Sequence, residues 1–231
     1  MTNRLIDPRF PARNKVPEFS EFASLLRMVT KYDFPDVREH LFEDLKGAYP
    51  TKLEDFETAK VLGEDVFGSP KPHPNAVLNL FMAQNVRFAV PFAAYRASLG
   101  GFSALMSSEP GTVLPRHTLA STIYGMERIK SSTIHAAYMI AHKEKLSVCA
   151  DQGCVLNDGI KPMERRIEAM TKLHNLMIGG RNGGVLSSPS FGVIACAKCT
   201  KEIEGAHAIW RSRCWELLPT TFSVAKCWGE V

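Results

Sequence analysis

The stretch HTLASTIYGMERIKSSTIHAAYMIAHKEK, residues 117–145, contains no proline and is interrupted only by Gly125. Leu119, Ile123, Met126, Ile129, Thr133, Ile134, Ala137 and Ile140 recur along it at three- and four-residue steps. That recurrence draws one apolar face on a helix. It predicts the longest helix of the chain and a mainly α-helical fold. His135 and His142 lie on or beside this helix and read as hydrogen-bonded packing residues, not as ligands.

The same periodicity extends upstream. Phe22, Leu25, Leu26, Val29 and Tyr32 form one stripe, and Val37, Leu41, Leu45 and Ala48 form the next. Pro35 suits a first helical position, where its missing N–H costs nothing, and the short gap makes the two helices packed neighbours. Thr51 followed by Glu54 reads as a capping box opening a third helix that carries Leu53 and Phe56. The Gly/Pro-rich residues 63–74 read as a loop. Ala76, Val77, Leu80, Phe81 and Gln84 stripe a fourth helix. Pro91 opens another with Phe92, Tyr95 and Leu99, stopped by Gly100-Gly101. Downstream, residues 162–177 place Met163, Ile167, Met170 and Leu173 on one face. Residues 179–184 form a glycine-rich loop without the Gly-Lys-Ser/Thr ending of a phosphate cradle. A last helix runs from Ala195 through Trp210 and Trp215 to Leu218, where Pro219 stops it.

The chain has 231 residues, 45% of them apolar, and a formal net charge of +4. That content is ample for a buried core, and so mild a basic excess does not by itself imply nucleic acid. No apolar run of signal-peptide or membrane-spanning length is present, so the expectation is an intracellular protein, cytoplasmic or nuclear, with reduced thiols.

Cys149 and Cys154 are spaced C-x4-C, and Cys196 and Cys199 C-x2-C. Each pair can supply two thiolates to one tetrahedral zinc, closing the residues between them into a tethered subdomain. The competing reading is four buried thiols acting as small hydrophobes. Such a zinc is structural, since four sulfurs leave no open position for water or substrate. Cys196 and Cys199 fall in a first helical turn, where backbone N–H groups and the helix dipole favour thiolates. Cys214 and Cys227 read as packing residues.

Residues 25–38, LLRMVTKYDFPDVR, with Ala48-Tyr49-Pro50-Thr51, resemble the region after the core of the BTB/POZ-domain proteins of mushroom-forming fungi. The run Cys196-x2-Cys199, His207, Arg211, Trp215-Glu216-Leu217-Leu218-Pro219, Phe222 and Trp228 is similar in order. Gly125-Met126-Glu127-Arg128-Ile129 resembles that family's Gly-Arg-Glu-x-Leu element, departing from it at Met126. The resemblance spans residues 19–228. It implies a mixed α/β BTB core ahead of the first helix pair, yet only residues 1–18 precede that pair, so the expectation is a family member lacking most of the BTB core. The adaptor role tied to that core does not carry over.

The organisation expected is an irregular multi-helix bundle. Residues 1–18 form a flexible N-terminus, 19–146 a helical domain whose residues 19–62 resemble the helical end of a BTB domain, and 147–231 a cysteine-containing, zinc-stapled helical subdomain. No Gly-x-Ser-x-Gly elbow or His-Glu-x-x-His helix is present, and the expectation is no enzyme. A non-enzymatic protein-interaction module is expected instead. Its working surface is the first hairpin, Tyr32, Phe34 and Arg38, residue types that interfaces favour, against the plainer reading that Tyr32 and Phe34 pack the hairpin. The alternative is nucleic-acid binding by the cysteine subdomain through Lys161, Arg165, Arg166 and Lys172, a field that Glu164 and Glu168 dilute.

Overall fold

The computed structural model of the chain describes residues 18–61, 67–68, 70–141, 149, 154, 162–178, 186–187, 189–226 and 228. Among these residues the regular structure is helical: α1 (Phe19–Lys31), α2 (Pro35–Lys46), α3 (Leu53–Val61), α4 (Pro74–Ala83), α5 (Val90–Leu99), α6 (Gly101–Leu105), α7 (Arg116–Ala141), α8 (Pro162–Ile178), α9 (Ala197–Glu216) and α10 (Leu218–Thr221). No described helix is long and apolar enough to cross a membrane. The expected N-terminus 1–17, His142, Lys161, the 179–184 loop and Cys227 lie outside the described residues.

Prolines set several helix starts. Pro35 and Pro74 occupy first positions and Pro91 the second, where a fixed φ helps and no hydrogen bond is lost. Three helix ends use a left-handed residue that is not glycine: Asp33 (φ 51°), Asn85 (φ 55°) and Ser223 (φ 57°). In each, the next N–H returns to the helix: Phe34 to Val29 O at 3.0 Å, Val86 to Phe81 O at 2.9 Å, and Val224 to Pro219 O at 2.8 Å. These are Schellman closures, and they satisfy carbonyls the helix leaves unpaired.

Helix α5 is the centre. It is buried on every side from Val90 to Ser98 except at Arg96, as expected for a helix apolar all round, and it packs against α4, α6, α7 and α10. Its Phe92 ring meets Tyr49, Phe56 and Trp215 at centroid separations of 6.1, 5.6 and 5.6 Å. The main core therefore joins the first helices to the last ones, with Leu186, Trp215, Leu218 and Phe222 inside it. Trp215 Nε1–H donates to Thr51 O at 3.0 Å, and Trp228 Nε1–H donates to Trp215 O at 2.8 Å. Arg211, buried on α9, pairs with Glu57 of α3. A second core unites the end of α7 with α8 and the first half of α9 through Ala137, Ile140, Leu173, Met177, Phe191 and Ile203.

The structure corrects several local expectations. Helix α3 takes its first bond from Phe56 N–H to Lys52 O at 3.2 Å, so Lys52, not Thr51, stands at its entrance; the Thr51 carbonyl is engaged by Trp215. A capping box occurs instead at α1, between Glu18 and Glu21. Gly101 (φ 73°) does not simply stop α5 but turns the chain into α6. Pro219 ends α9 and opens α10 as its second residue. Ile134 and Ile167 point outward, 48% and 54% exposed, because α7 buries Thr133, Ala136 and Ala137 beside Ile134, and α8 buries Ala169, Leu173 and Met177. His135 is exposed, not a packing residue.

Candidate metal centre and hairpin surface

The centre is assembled at the entrance of α9. A single 3₁₀ turn, Phe191–Val193, precedes it, with the Ile194 and Ala195 N–H groups both donating to Phe191 O at 3.0 and 3.1 Å. Phe191 is buried edge-on to the His207 ring, centroids 5.3 Å apart, which fixes the turn to the body of α9. Cys196 then takes the N-cap position with an extended backbone (φ −67°, ψ 163°), and Cys199 follows inside the first turn. The two-residue gap thus places both sulfurs at the same end of one helix. Thr200 secures this turn, its N–H donating to Cys196 O at 2.8 Å and its hydroxyl to Ala195 O at 3.1 Å.

Cys149 and Cys154 come from the connection between α7 and α8, and both are buried. The four sulfurs all lie within 4.8 Å of one another, with Cys149 Sγ and Cys196 Sγ 3.4 Å apart. A tetrahedral ion with bonds of ~2.3 Å spaces its sulfurs about 3.8 Å apart, so the cluster is of metal-site size. A disulfide needs ~2.05 Å, and Cys149, Cys154, Cys196, Cys199 and Cys214 are all free thiols. Four close cysteines that can hold a metal ion are therefore present.

Electrostatics supports the same view. The Cys199 backbone N–H, and after it the Cys149 thiol, favour the Cys196 thiolate and bring that thiol down to about 7. Burial, and then its sulfur neighbours, push Cys199 well above the usual thiol range. Sulfurs this close cannot all ionise without a cation among them, and a divalent ion supplies that charge. Cys214 stands apart, 3.6 Å from Ser132 Oγ, its thiol pushed up to about 11 by burial. It is the packing residue its sequence position suggests.

At the far end of α1 the hairpin turn carries the other predicted residues. Tyr32 ends α1 and Phe34 precedes α2, and they are 60% and 50% exposed. Asp33 between them takes the left-handed conformation, and the Phe34 N–H returns to Val29 O at 3.0 Å. Lys31 Nζ sits 5.3 Å from the Tyr32 ring centroid, a cation–π contact. Arg38 is half-buried on α2. Met28, one turn before Tyr32, is 47% exposed. Sequence reasoning missed it, although its place off the Leu25, Leu26, Val29 stripe signalled an outward position.

The predicted phosphate contacts fare differently. Lys172 Nζ is 2.6 Å from Glu168 Oε1, while the Arg165 and Arg166 side chains lie outside the described residues. Sequence reasoning named His207 and Arg211 only within the resemblance and did not read them as a buried polar stripe of α9. His207 and Arg211 are buried one turn apart in line with Cys199, Ile203 and Trp215, a four-residue step visible in the sequence.

No family model matches the chain, and no curated protein and no solved structure matches it.

Proposed function

We propose that this chain is a non-enzymatic interaction module, a helical body stapled by one structural zinc that presents the α1–α2 tip to a protein partner. The observation that carries the reading is the tip itself: Met28, Tyr32 and Phe34 are all about half exposed at one end of a hairpin whose other apolar residues face the core. Aromatic side chains with few rotatable bonds lose little entropy when covered, which is why interface centres are rich in them. Zinc is the ion that suits the donor set, because four thiolates in a tetrahedron match its softness and its lack of geometric demand. A closed sulfur shell gives it a folding role, tying Cys149 and Cys154 to the entrance of α9.

The test compares proteins retained by the immobilised full chain and by a Tyr32→Ser/Phe34→Ser variant, at roughly 50 and 300 mM salt. A partner held in stoichiometric amount at both salts and lost from the variant, with unchanged melting curves, supports the tip as the docking site. Identical retention by both proteins contradicts it. Nucleic acid released by the higher salt from both proteins would favour the alternative reading.

A further inference from the structure

A cavity of about 250 Å³ lies between the end of α2, the start of α4 and the last turns of α5. Its walls include the buried Tyr49, Phe67, Val77 and Ala93, and Lys71 and Arg96 complete it. The walls are held from behind. Phe67 is fixed by the rings of Phe19 and Phe22 at 5.1 and 5.2 Å, and Tyr49 by Phe81 at 4.8 Å. Side chains braced in this way cannot swing in to fill the space, so the cavity is formed before any ligand arrives.

Arg96 and Lys71 are the charged side chains among the described lining residues, and Lys71 already has an interaction partner of its own. Arg96 is the one half-buried residue of an otherwise buried stretch of α5, and it makes no hydrogen bond or ion pair with the described residues. A guanidinium beside apolar walls, with no carboxylate partner among the described residues, matches a planar anion. At an interior packing density of ~0.75 the cavity takes about 190 Å³ of ligand, roughly ten heavy atoms. From these features we infer that the cavity binds a small monocarboxylate with an apolar tail or ring, its carboxylate against Arg96 and its tail against Phe67, Val77 and Ala93. This site is separate from the hairpin tip and from the cysteine centre.

The experiment is isothermal titration of the full chain with octanoate, octan-1-ol and inorganic phosphate in parallel, repeated on Arg96→Gln and on Val77→Phe, which fills the cavity. The expected result is saturable 1:1 binding of octanoate, weakened at least about tenfold by Arg96→Gln and for the neutral alcohol, and abolished by Val77→Phe. Phosphate, lacking a tail, binds at least as weakly as the alcohol. Melting curves establish that each variant is folded, and should one of the two fail to fold, the other still reads the site. Three results would overturn the inference: no saturable binding, octanol binding as tightly as octanoate, or multi-site adsorption that neither variant alters.

Discussion

Gly125 lies in the middle of α7, and a methyl group built there would come within 2.3 Å of Phe222 Cδ1, 2.5 Å of Cε1 and 3.1 Å of Cγ. Phe222 is 2% exposed and held in the main core with Trp215 and Leu218, so its ring has no free direction in which to yield. In Gly125→Ala two effects oppose each other. Alanine gains about 1 kcal/mol of helix propensity over glycine. Overpacking a close-packed site costs about 1–3 kcal/mol, and contact with three ring atoms places this case at the upper end. The net expectation is a loss of about 2 kcal/mol, or roughly 4–8 °C in melting temperature for a chain of this size. Gly205 supplies the internal control. It sits inside α9, exposed, with nothing within 4 Å of an added methyl group, so Gly205→Ala is expected to stabilise by up to about 1 kcal/mol. Urea titrations of the three proteins, followed by far-ultraviolet circular dichroism, read both shifts as midpoints at constant slope. A Gly125→Ala protein as stable as the parent would refute the close approach of α10 to α7.

Trp215→Phe should cost about 1 kcal/mol, because it removes the indole hydrogen bond to the half-buried Thr51 carbonyl, and such a bond contributes about 0.5–1.5 kcal/mol; urea titration measures it. His207 is 3% exposed, and burial, followed by the charge of Arg211, lowers it from the usual 6.5 to about 4. A depressed value means that the unfolded chain binds the proton more readily. This contribution is therefore complete above about pH 6.5 and is lost as pH falls through about 4, up to roughly 3 kcal/mol. Thermal melts from pH 7 to 4 should show that loss, and His207→Phe should flatten the part of the slope that His207 supplies. An unchanged slope would mean that other groups govern acid unfolding.

Much of the helical layout is legible in the sequence because its causes are local. Apolar steps of three and four residues mark α1, α2, α4 and α7, and Pro35 and Pro91 mark starts by a property of one residue. The cysteine pairing is legible for a similar reason, since a two-residue gap at a helix entrance places two sulfurs at one end whatever surrounds them. Other features depend on what a residue meets far along the chain. Gly125 reads as an interruption of a helix, and only the arrival of Phe222 makes it a notch. Thr51 reads as a cap, but its carbonyl is claimed by Trp215, so the helix starts one residue later. Ile134 and Ile167 satisfy the periodicity and still face outward, because a helix packed on one side buries a narrower arc than its apolar residues cover. The hairpin aromatics are the opposite case. Hydrophobicity argues for burial, yet both are about half exposed beside the left-handed turn at Asp33.

The most direct test of the account is the zinc content of the full chain, purified without added metal, measured by elemental analysis beside a Cys196→Ser/Cys199→Ser variant. The account predicts one equivalent of zinc per chain, lost in the variant together with cooperative unfolding of the second core around α8 and α9. A metal-free parent chain that unfolds cooperatively would contradict it.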